Sequence, residues 1–309
     1  MFQGLIDAGE RAETTLVRYR IQYWTHISPT FGRMQMQKTR PEHISRWLAE
    51  KRREGLDVAS IYSILSLLCN RAVERGLIVE SPLKRVPKAE RPKRRRKTEP
   101  RCPTDAECSA LIEAASSLRD RALYATYAYA GPRQSEPLGL FWRELDLVNG
   151  VMHVEKQLSR SLPARRVPPK SANSVREVEL LPELVALLKQ HKVEAFKKGH
   201  AGPDDYVFST ADGKPLHHRN VFRDLCKAAD RAGLNREGLP KLGTHDLRHA
   251  SISRWIAAGI DPATVARMAG DDVKTILTTY VHEFDKAKRN DEIRERLAAG
   301  TSITLGGAS

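Results

Sequence analysis

Gly243-Thr244-His245-Asp246-Leu247-Arg248-His249 opens the stretch that decides the fold of this chain, and Thr278-Thr279-Tyr280-Val281-His282 closes it. Thr244 is a good N-cap, so we predict a helix that begins here and ends at Gly259. His245 and Arg248 share one face of its first turn, where free backbone N–H groups favour an anion. Tyr280 follows as an isolated tyrosine. A histidine, an arginine and a tyrosine in this order are suited to holding and attacking a phosphodiester.

The residues between these two ends predict a second, shorter helix. Asp261 is its N-cap, Pro262 takes the first helical position, and Gly270 ends it. The segment from Asp272 to Tyr280 lacks strong capping signals.

Composition points to a polyanionic partner. The chain has 309 residues, enough for two domains, and carries a net charge of +14. Basic charge alone can serve solubility, but this excess is large and clustered, which favours nucleic acid. Lys and Arg are so frequent, 52 residues in all, that one often follows a histidine at the third position by chance. The pair His245 and Arg248 is therefore weak evidence by itself.

The cysteines and the apolar segments predict a cytoplasmic protein, or a nuclear one if the host has a nucleus. The four cysteines form no C-x-x-C pair and read as free thiols in a reducing compartment: Cys69, Cys102, Cys108 and Cys226. The sequence shows neither an N-terminal signal pattern nor an apolar run of about 18 residues.

Residues 1–82 are predicted to form a small helical domain. Helical periodicity covers about 14–24, 41–55 and 57–76, with Asp57 as N-cap and Gly76 as the end of the third helix. Prolines then punctuate residues 83–103, which we interpret as an extended linker. Its basic block, Lys93-Arg94-Arg95-Arg96-Lys97, is a solvated tether, a localisation signal or a DNA contact along the phosphate backbone.

Residues 104–299 are predicted to form a mixed domain, followed by a flexible tail at 300–309. Thr104 and Glu107 form a capping box, and helices follow at about 105–115, 119–130, 182–198, 220–232 and 281–297. Strand patterns occur at 151–154 and 175–180, with a shorter candidate at 206–208. The predicted fold is therefore mainly α with a small antiparallel β-sheet.

Two basic residues of this domain, Arg133 and Lys170, are candidate site residues because of their positions in the sequence. Arg133 follows a Gly-Pro turn and can be paired by Glu136; the alternative is a surface salt bridge of little weight. Lys170 lies in a basic loop next to a predicted strand, from which it can reach a bound backbone, although most such lysines are only solvated.

The ordered set Arg133, Lys170, His245-Asp246-Leu247-Arg248, Met268-Ala269-Gly270 and Tyr280 resembles the tyrosine recombinase (phage integrase) family over nearly the whole chain. The resemblance implies a core-binding, DNA-clamping domain at 1–82 and a catalytic domain at 104–299.

The same resemblance implies a chemistry. Tyr280 would be the nucleophile that forms a 3′-phosphotyrosyl bond and releases a 5′-hydroxyl. Arg133 and Arg248 would clamp the phosphate oxygens. Lys170 would be the general acid, and His245 would assist proton movement or hydrogen-bond the phosphate. No cofactor and no metal are required; the pair His217-His218 lacks acidic or cysteine partners and is expected in a surface loop.

One residue departs from the family pattern. Asp271 follows Gly270 where the family usually has histidine and sometimes tryptophan. A carboxylate is repelled by phosphate unless it is protonated or paired with a base. We expect Asp271 to turn toward a cation such as His245 or Arg248, at a cost in rate but not in mechanism. Pro132, a further departure, is expected only to stiffen the turn.

The implied partners are double-stranded DNA at attachment sites, further copies of the chain in a tetramer on that DNA, and accessory DNA-bending proteins. Integration, excision and dimer resolution are equally open as outcomes. Two alternatives share the fold: a DNA-binding protein that does not cleave, favoured by Asp271, and a nicking and closing enzyme resembling type IB topoisomerases.

Overall fold

The computed structural model describes residues 13–93, 101–160, 163–169, 174–238 and 240–285. The chain divides into two compact units, Met1–Thr98 and Glu99–Ser309. Helices predominate, and the strands form two small antiparallel sheets, so the predicted fold class is confirmed. No helix among the described residues is long and apolar enough to cross a lipid bilayer.

The first unit is entirely helical in its described part. Its α-helices are α1 (Glu13–Gln22), α2 (Ser28–Phe31), α3 (Pro41–Arg53) and α4 (Val58–Glu74). A π-helical turn, Tyr23–Ile27, joins α1 to α2. The Asp57 side chain caps α4 by accepting from the Ala59 N–H (3.2 Å), as its position in the sequence predicts.

The core of this unit forms between α3, α4 and the π-helical turn. Ile44, Trp47 and Leu48 from α3 are buried against Ile61 and Ile64 from α4. These are the positions that helical spacing predicts, and each large side chain removed from water contributes roughly 1.5–3 kcal/mol. The indole N–H of Trp47 donates to the His26 carbonyl oxygen (3.1 Å), which fixes the turn on α3.

The first residues of the predicted linker 83–103 are not extended. Pro82–Arg85 forms a 3₁₀ turn, and Leu83 and Val86 are buried in the core of the first unit. The basic residues between them reach solvent while the two apolar side chains point inward. The spacing of the prolines and the high charge of this segment predict an extended linker and give no sign that these two apolar side chains are buried.

The second unit begins with the predicted capping box. Thr104 Oγ1 accepts from the Glu107 N–H (3.2 Å), and Glu107 Oε2 accepts from the Thr104 N–H (2.9 Å). The helices of the unit are α5 (Asp105–Glu113), α6 (Leu118–Ala125), α7 (Ser135–Leu138), α8 (Pro182–Lys197), α9 (His218–Arg231), α10 (Thr244–Ala257), α11 (Pro262–Ala269) and α12 (Val273–Thr279). The π-helical turn Thr126–Ala130 extends α6.

In the described part of the chain, five short strands form the two sheets: β1 (Leu145–Asp146), β2 (Val151–Val154), β3 (Gln157–Leu158), β4 (Arg166–Val167) and β5 (Arg176–Glu179). The larger sheet has the order β1-β2-β5, and the smaller pairs β3 with β4. In the larger sheet Met152 lies opposite Val178, and Val154 lies opposite Arg176. Alternation along β5 buries Val178 and therefore also Arg176, two residues earlier.

The third predicted strand, 206–208, is wrong. Tyr206 makes only an isolated bridge with Phe141, and β1 supplies the third strand instead. Val207 and Phe208 are buried because they pack into the core as part of a connection, with the Val207 N–H bonded to the Leu140 carbonyl oxygen (2.9 Å). A short apolar run does not distinguish these two cases.

Two apolar clusters hold this unit. The main core joins α5 to α10 with both sheets. A smaller cluster is formed by α10, α11 and α12: Ile252, Trp255, Ile256, Val265, Ala266, Ala269, Ile276 and Tyr280. The predicted helix 281–297 extends beyond the last described residue, 285, and the tail 300–309 lies outside the described residues.

Candidate active site

Helix α10 is capped one residue earlier than the sequence predicts. Gly243, not Thr244, is the N-cap, and the Asp246 side chain accepts from its N–H (2.8 Å). Gly243 is favoured because Asp246 reaches back to the backbone from the third helical position. On this helix His245 is exposed, Arg248 is 2% exposed and His249 is half-buried.

Arg248 is fixed by backbone carbonyls from two other segments. Its Nη1 donates to the Gly131 oxygen (2.6 Å), and its Nη2 donates to the Ala269 oxygen (2.8 Å). Gly131 adopts the left-handed conformation (φ 60°), and a Cβ there would lie 2.9 Å from the Ser251 Cβ. Glycine therefore lets the turn that carries Arg133 approach α10 closely.

Glu136 joins Arg133 to Arg176. Its carboxylate accepts from the Arg133 backbone N–H (2.8 Å) and Nη1 (3.2 Å), and from Arg176 Nη2 (2.8 Å) and Nη1 (3.1 Å). The Glu136 and Arg176 side chains are each 2% exposed. Burial acts to raise the pKa of Glu136, but the two arginines outweigh it and hold the pKa below its usual value. The alternative of a surface salt bridge is therefore wrong.

Asp271 lies between the two predicted clamp arginines. Its Oδ1 accepts from Arg133 Nη2 and its Oδ2 from Arg248 Nη2, both at 2.5 Å. Burial acts to raise the pKa of Asp271, but Arg248 and Arg133 lower it, so the carboxyl is ionised at neutral pH. Asp271 thus contacts one of the two cations expected, Arg248, and also Arg133.

The C-terminal end of α11 determines the position of Asp271. Gly270 takes the left-handed conformation (φ 66°) that ends the helix, as Asp261 begins it by accepting from the Ala263 and Thr264 N–H groups. Arg176 Nε donates to the Met268 oxygen (2.7 Å) just before this turn. The buried Arg176 therefore ties β5 to the segment that carries Asp271.

Tyr280 ends α12, a helix that the sequence did not predict. The Asp272 side chain caps it by accepting from the Lys274 N–H (2.7 Å), so an aspartate N-cap is present where strong capping seemed to be lacking. Tyr280 is 6% exposed, and its hydroxyl is hydrogen-bonded to Nδ1 of His249. Burial raises the pKa of Tyr280 above its usual value, so the hydroxyl keeps its proton at neutral pH.

Two histidines of α10, His245 and His249, lie in contact next to the tyrosine hydroxyl. The rings of His245 and His249 lie 4.6 Å apart at 70°. Burial, followed by the charges of His245 and Arg248, lowers the pKa of His249 to about 4, so its imidazole is neutral at pH 7. Burial and Arg248 also lower the pKa of His245.

The profile of the phage integrase family matches residues 104–287 of the chain. A second profile, the N-terminal SAM-like domain of phage integrases, matches residues 9–51. The first match covers more than half of the chain.

The chain belongs to the phage integrase family of tyrosine recombinases.

This family member is similar to a tyrosine recombinase XerC-like protein of Caldanaerobacter subterraneus subsp. tengcongensis, with 26% identity over 91% of the chain and 77% of the relative. It is 25% identical to the ICEBs1 integrase of Bacillus subtilis, over 85% of the chain and 72% of that relative. Against prophage integrase IntR of Escherichia coli the match spans 56% of the relative's length.

Solved structures share its fold. The Tn1549 transposon integrase in complex with transposon right end DNA has a TM-score of 0.75 at 20% identity, covering 96% of this chain and 97% of that one. A lambda integrase dimer bound to a core site has a TM-score of 0.65 at 20% identity, covering 90% and 92%.

Among the predicted site residues of this recombinase-family chain, the structure joins Arg133, Arg248 and Asp271 by hydrogen bonds. Tyr280 and His245 both contact His249, the residue that directly follows Arg248. Lys170 and the basic residues 94–97 lie outside the described residues. Lys93 is exposed on the first unit.

Sequence reasoning missed three site residues. Arg176 is buried by strand alternation, and Ser174 Oγ accepts from Arg133 Nη1 (3.0 Å). His249 is the third; it lies four residues after His245, on the same helical face, and that spacing could have identified it.

The pair His217 and His218 begins a helix instead of lying in a surface loop. His217 caps α9, and His218 Nε2 lies 3.0 Å from the Ser135 hydroxyl. The described residues contain no group of three or more His, Cys, Asp or Glu side chains placed to hold a metal.

Proposed function

We propose that this family member is a site-specific DNA recombinase that cleaves and rejoins strands through a 3′-phosphotyrosyl intermediate. Tyr280 attacks the phosphodiester and releases a 5′-hydroxyl. The covalent bond keeps the energy of the broken one, so a new strand can be joined without ATP. The reaction would serve integration, excision or resolution of DNA.

The observation that carries the proposal is the position of an anion, the Asp271 carboxylate, between Arg133 and Arg248. The Asp271 carboxylate already accepts from both Arg133 and Arg248, so the pocket is built to hold an anion with two oxygens. A guanidinium fork matches phosphate oxygens in the same way and is always charged. Tyr280 is hydrogen-bonded to His249, the residue that directly follows Arg248 on α10.

The remaining roles follow from family resemblance. Arg133 and Arg248 would bind the non-bridging oxygens and stabilise the charge that grows on them. Lys170 would protonate the leaving 5′-oxygen, and His245, exposed at the site, would hydrogen-bond the phosphate or assist proton movement.

The proposed partner is double-stranded DNA carrying attachment sites. The net charge of +14 suits it, and the fold is shared with the lambda integrase tetramer bound to a Holliday junction. We propose that this chain likewise acts as a tetramer on DNA, with DNA-bending accessory proteins, in the cytoplasm.

Residues 1–82 would clamp the DNA and residues 104–299 would carry the chemistry. The connecting segment would place its basic block along the phosphate backbone: Lys93, Arg94, Arg95, Arg96 and Lys97.

A second function is supported by the same aspartate. Because Asp271 neutralises the two arginines in place of a phosphate, a protein that binds DNA without cutting it is the alternative.

A covalent-trapping experiment distinguishes the recombinase from the DNA-binding protein that does not cut. The full chain is incubated with a nicked suicide duplex that contains its binding site, selected first from random DNA. We expect a denaturation-resistant protein–DNA adduct that is lost in Tyr280→Phe and kept in Tyr206→Phe, a control in the same unit. Tight binding without any adduct would favour the non-cutting alternative.

A further inference from the structure

We propose that His249, and not His245, is the base that accepts the proton of Tyr280 when the tyrosine attacks DNA. The inference deepens the proposed function and rests on it. It assigns a catalytic role to the residue directly after Arg248, because this residue contacts the reacting oxygen.

The geometry singles out one nitrogen. The Tyr280 hydroxyl and His249 Nδ1 are hydrogen-bonded, and their rings are 5.5 Å apart between centroids. A candidate base must reach the proton it removes, and His249 does so before any DNA is bound. His245 lies one helical turn away, and its ring contacts His249.

Burial, with His245 and Arg248 on the same helix, lowers the pKa of His249 and keeps the imidazole neutral at rest. From other segments, Asp271 acts in the opposite direction and raises this pKa, and the Tyr280 hydroxyl is the hydrogen-bond partner. A neutral imidazole offers Nδ1 as an acceptor when the hydrogen is on Nε2. With its pKa near 4, His249 is a weak base in the free protein, and Tyr280 stays protonated. The pair therefore holds the tyrosine unreactive without DNA.

Binding of DNA changes this balance in the required direction. A phosphate brings negative charge into the site, and a nearby anion raises the pKa of an imidazole. The two arginines and the forming bond to phosphorus stabilise the tyrosine oxygen as it loses its proton. Proton transfer thus becomes favourable only when the substrate is in place.

The step balances without a co-reactant. The Tyr280 oxygen bonds to phosphorus, the bond from phosphorus to the 5′-oxygen breaks, and the tyrosine proton moves to Nδ1 of His249. The leaving 5′-oxygen takes a proton from the general acid, assigned to Lys170 by resemblance. In rejoining, the 5′-hydroxyl returns its proton to that lysine, and His249 returns its proton to Tyr280.

The test uses the acidity of the nucleophile. The full chain is prepared with tyrosine or with the more acidic 3,5-difluorotyrosine at position 280, each with His249 or His249→Asn. Asparagine accepts a hydrogen bond but offers no basic nitrogen. The rate of adduct formation on the suicide duplex is measured for all four proteins. His153→Asn, on β2 beside Glu177, is the control.

We expect His249→Asn to slow the tyrosine enzyme by roughly 100-fold, and the difluorotyrosine enzyme by less than about tenfold. The control should leave both rates unchanged. An equal loss with either nucleophile would mean that His249 only positions the tyrosine, and no loss would mean that it has no role; both overturn the inference. Failure of the unmodified chain to form an adduct on DNA that it binds would instead overturn the proposed function.

Discussion

Asp271 and Arg248 form an ion pair at 2.5 Å, although the Arg248 side chain is 3% exposed and belongs to the proposed phosphate clamp. The scissile phosphate therefore has to replace a carboxylate that already holds the arginine. A histidine at this position would bond to the phosphate instead of competing with it.

Replacing Asp271 by histidine should therefore speed the first chemical step. We expect Asp271→His to raise the rate of adduct formation roughly tenfold, because the charged hydrogen bonds from Arg133 and Arg248 to the carboxylate no longer have to be broken. Single-turnover kinetics on the suicide duplex measure this. Asp271→Asn, which keeps the size and removes the charge, should also be faster than the original chain. An unchanged or slower rate for Asp271→His would refute the view that the aspartate is a tolerated weakening.

The same aspartate should stabilise the protein without DNA. Removing it leaves two guanidinium groups close together, so Asp271→Asn should lower the free energy of unfolding by roughly 2 kcal/mol at pH 7. Because the folded-state pKa of Asp271 lies below its unfolded value, this stabilisation is complete above the usual aspartate range near about pH 4. It should disappear as the pH falls through the lowered pKa. Urea titrations from pH 7 to pH 3 test it; a gap between the two proteins that widens in acid would have the wrong sign.

Arg176 should matter more for stability than any surface arginine. Arg176→Met removes two hydrogen bonds to the buried Glu136 carboxylate and leaves it with Arg133 as its one arginine partner, so it should cost about 3–5 kcal/mol of unfolding free energy. The comparison is Arg143→Met, whose partner Asp204 is 67% exposed and whose loss should cost less than about 1 kcal/mol. Chemical denaturation of both variants gives the two values. Equal losses would mean that the buried pair contributes no more than the exposed one.

Substitution of the basic block would show whether it is a solvated tether or a DNA contact. If Lys93, Arg94, Arg95, Arg96 and Lys97 follow the phosphate backbone, changing all five to glutamine should flatten the plot of log affinity against log salt. The slope should fall by about 0.9 for each phosphate that the variant no longer neutralises. Fluorescence anisotropy with a labelled duplex over a range of salt concentrations measures it. An unchanged slope, with the chain still folded by circular dichroism, would leave the block as a solvated linker.

Local signals predicted local structure well. Asp57, Thr104, Asp261 and Gly270 act as the caps that their residue types indicate, because a cap depends on neighbours within a few positions. Gly243 is the N-cap instead of Thr244 for an equally local reason, because the Asp246 side chain accepts a hydrogen bond from the Gly243 N–H, three residues earlier.

Contacts across the fold could not be found in this way. The ordered residues Arg133, Arg248 and Tyr280 indicated the site through family resemblance. Their actual partners are set by tertiary packing: Arg176 is buried because β5 alternates against β2, a register that the sequence leaves open. The contact of Tyr280 with His249 instead of His245 depends on where α12 packs on α10.

Tyr280 belongs to the small apolar cluster of α10 to α12, not to the main core of its unit. From the segment Val273–Tyr280, the buried side chains are Ile276 and Tyr280. Opening so small a contact costs a fraction of global unfolding, so we expect this segment to open as a separate cooperative unit whose amide hydrogens exchange before those of β2 and β5. In the proposed reaction, a nucleophile mounted in this way would remain attached to a DNA end and follow it as the strand shifts, while the arginines stay in place.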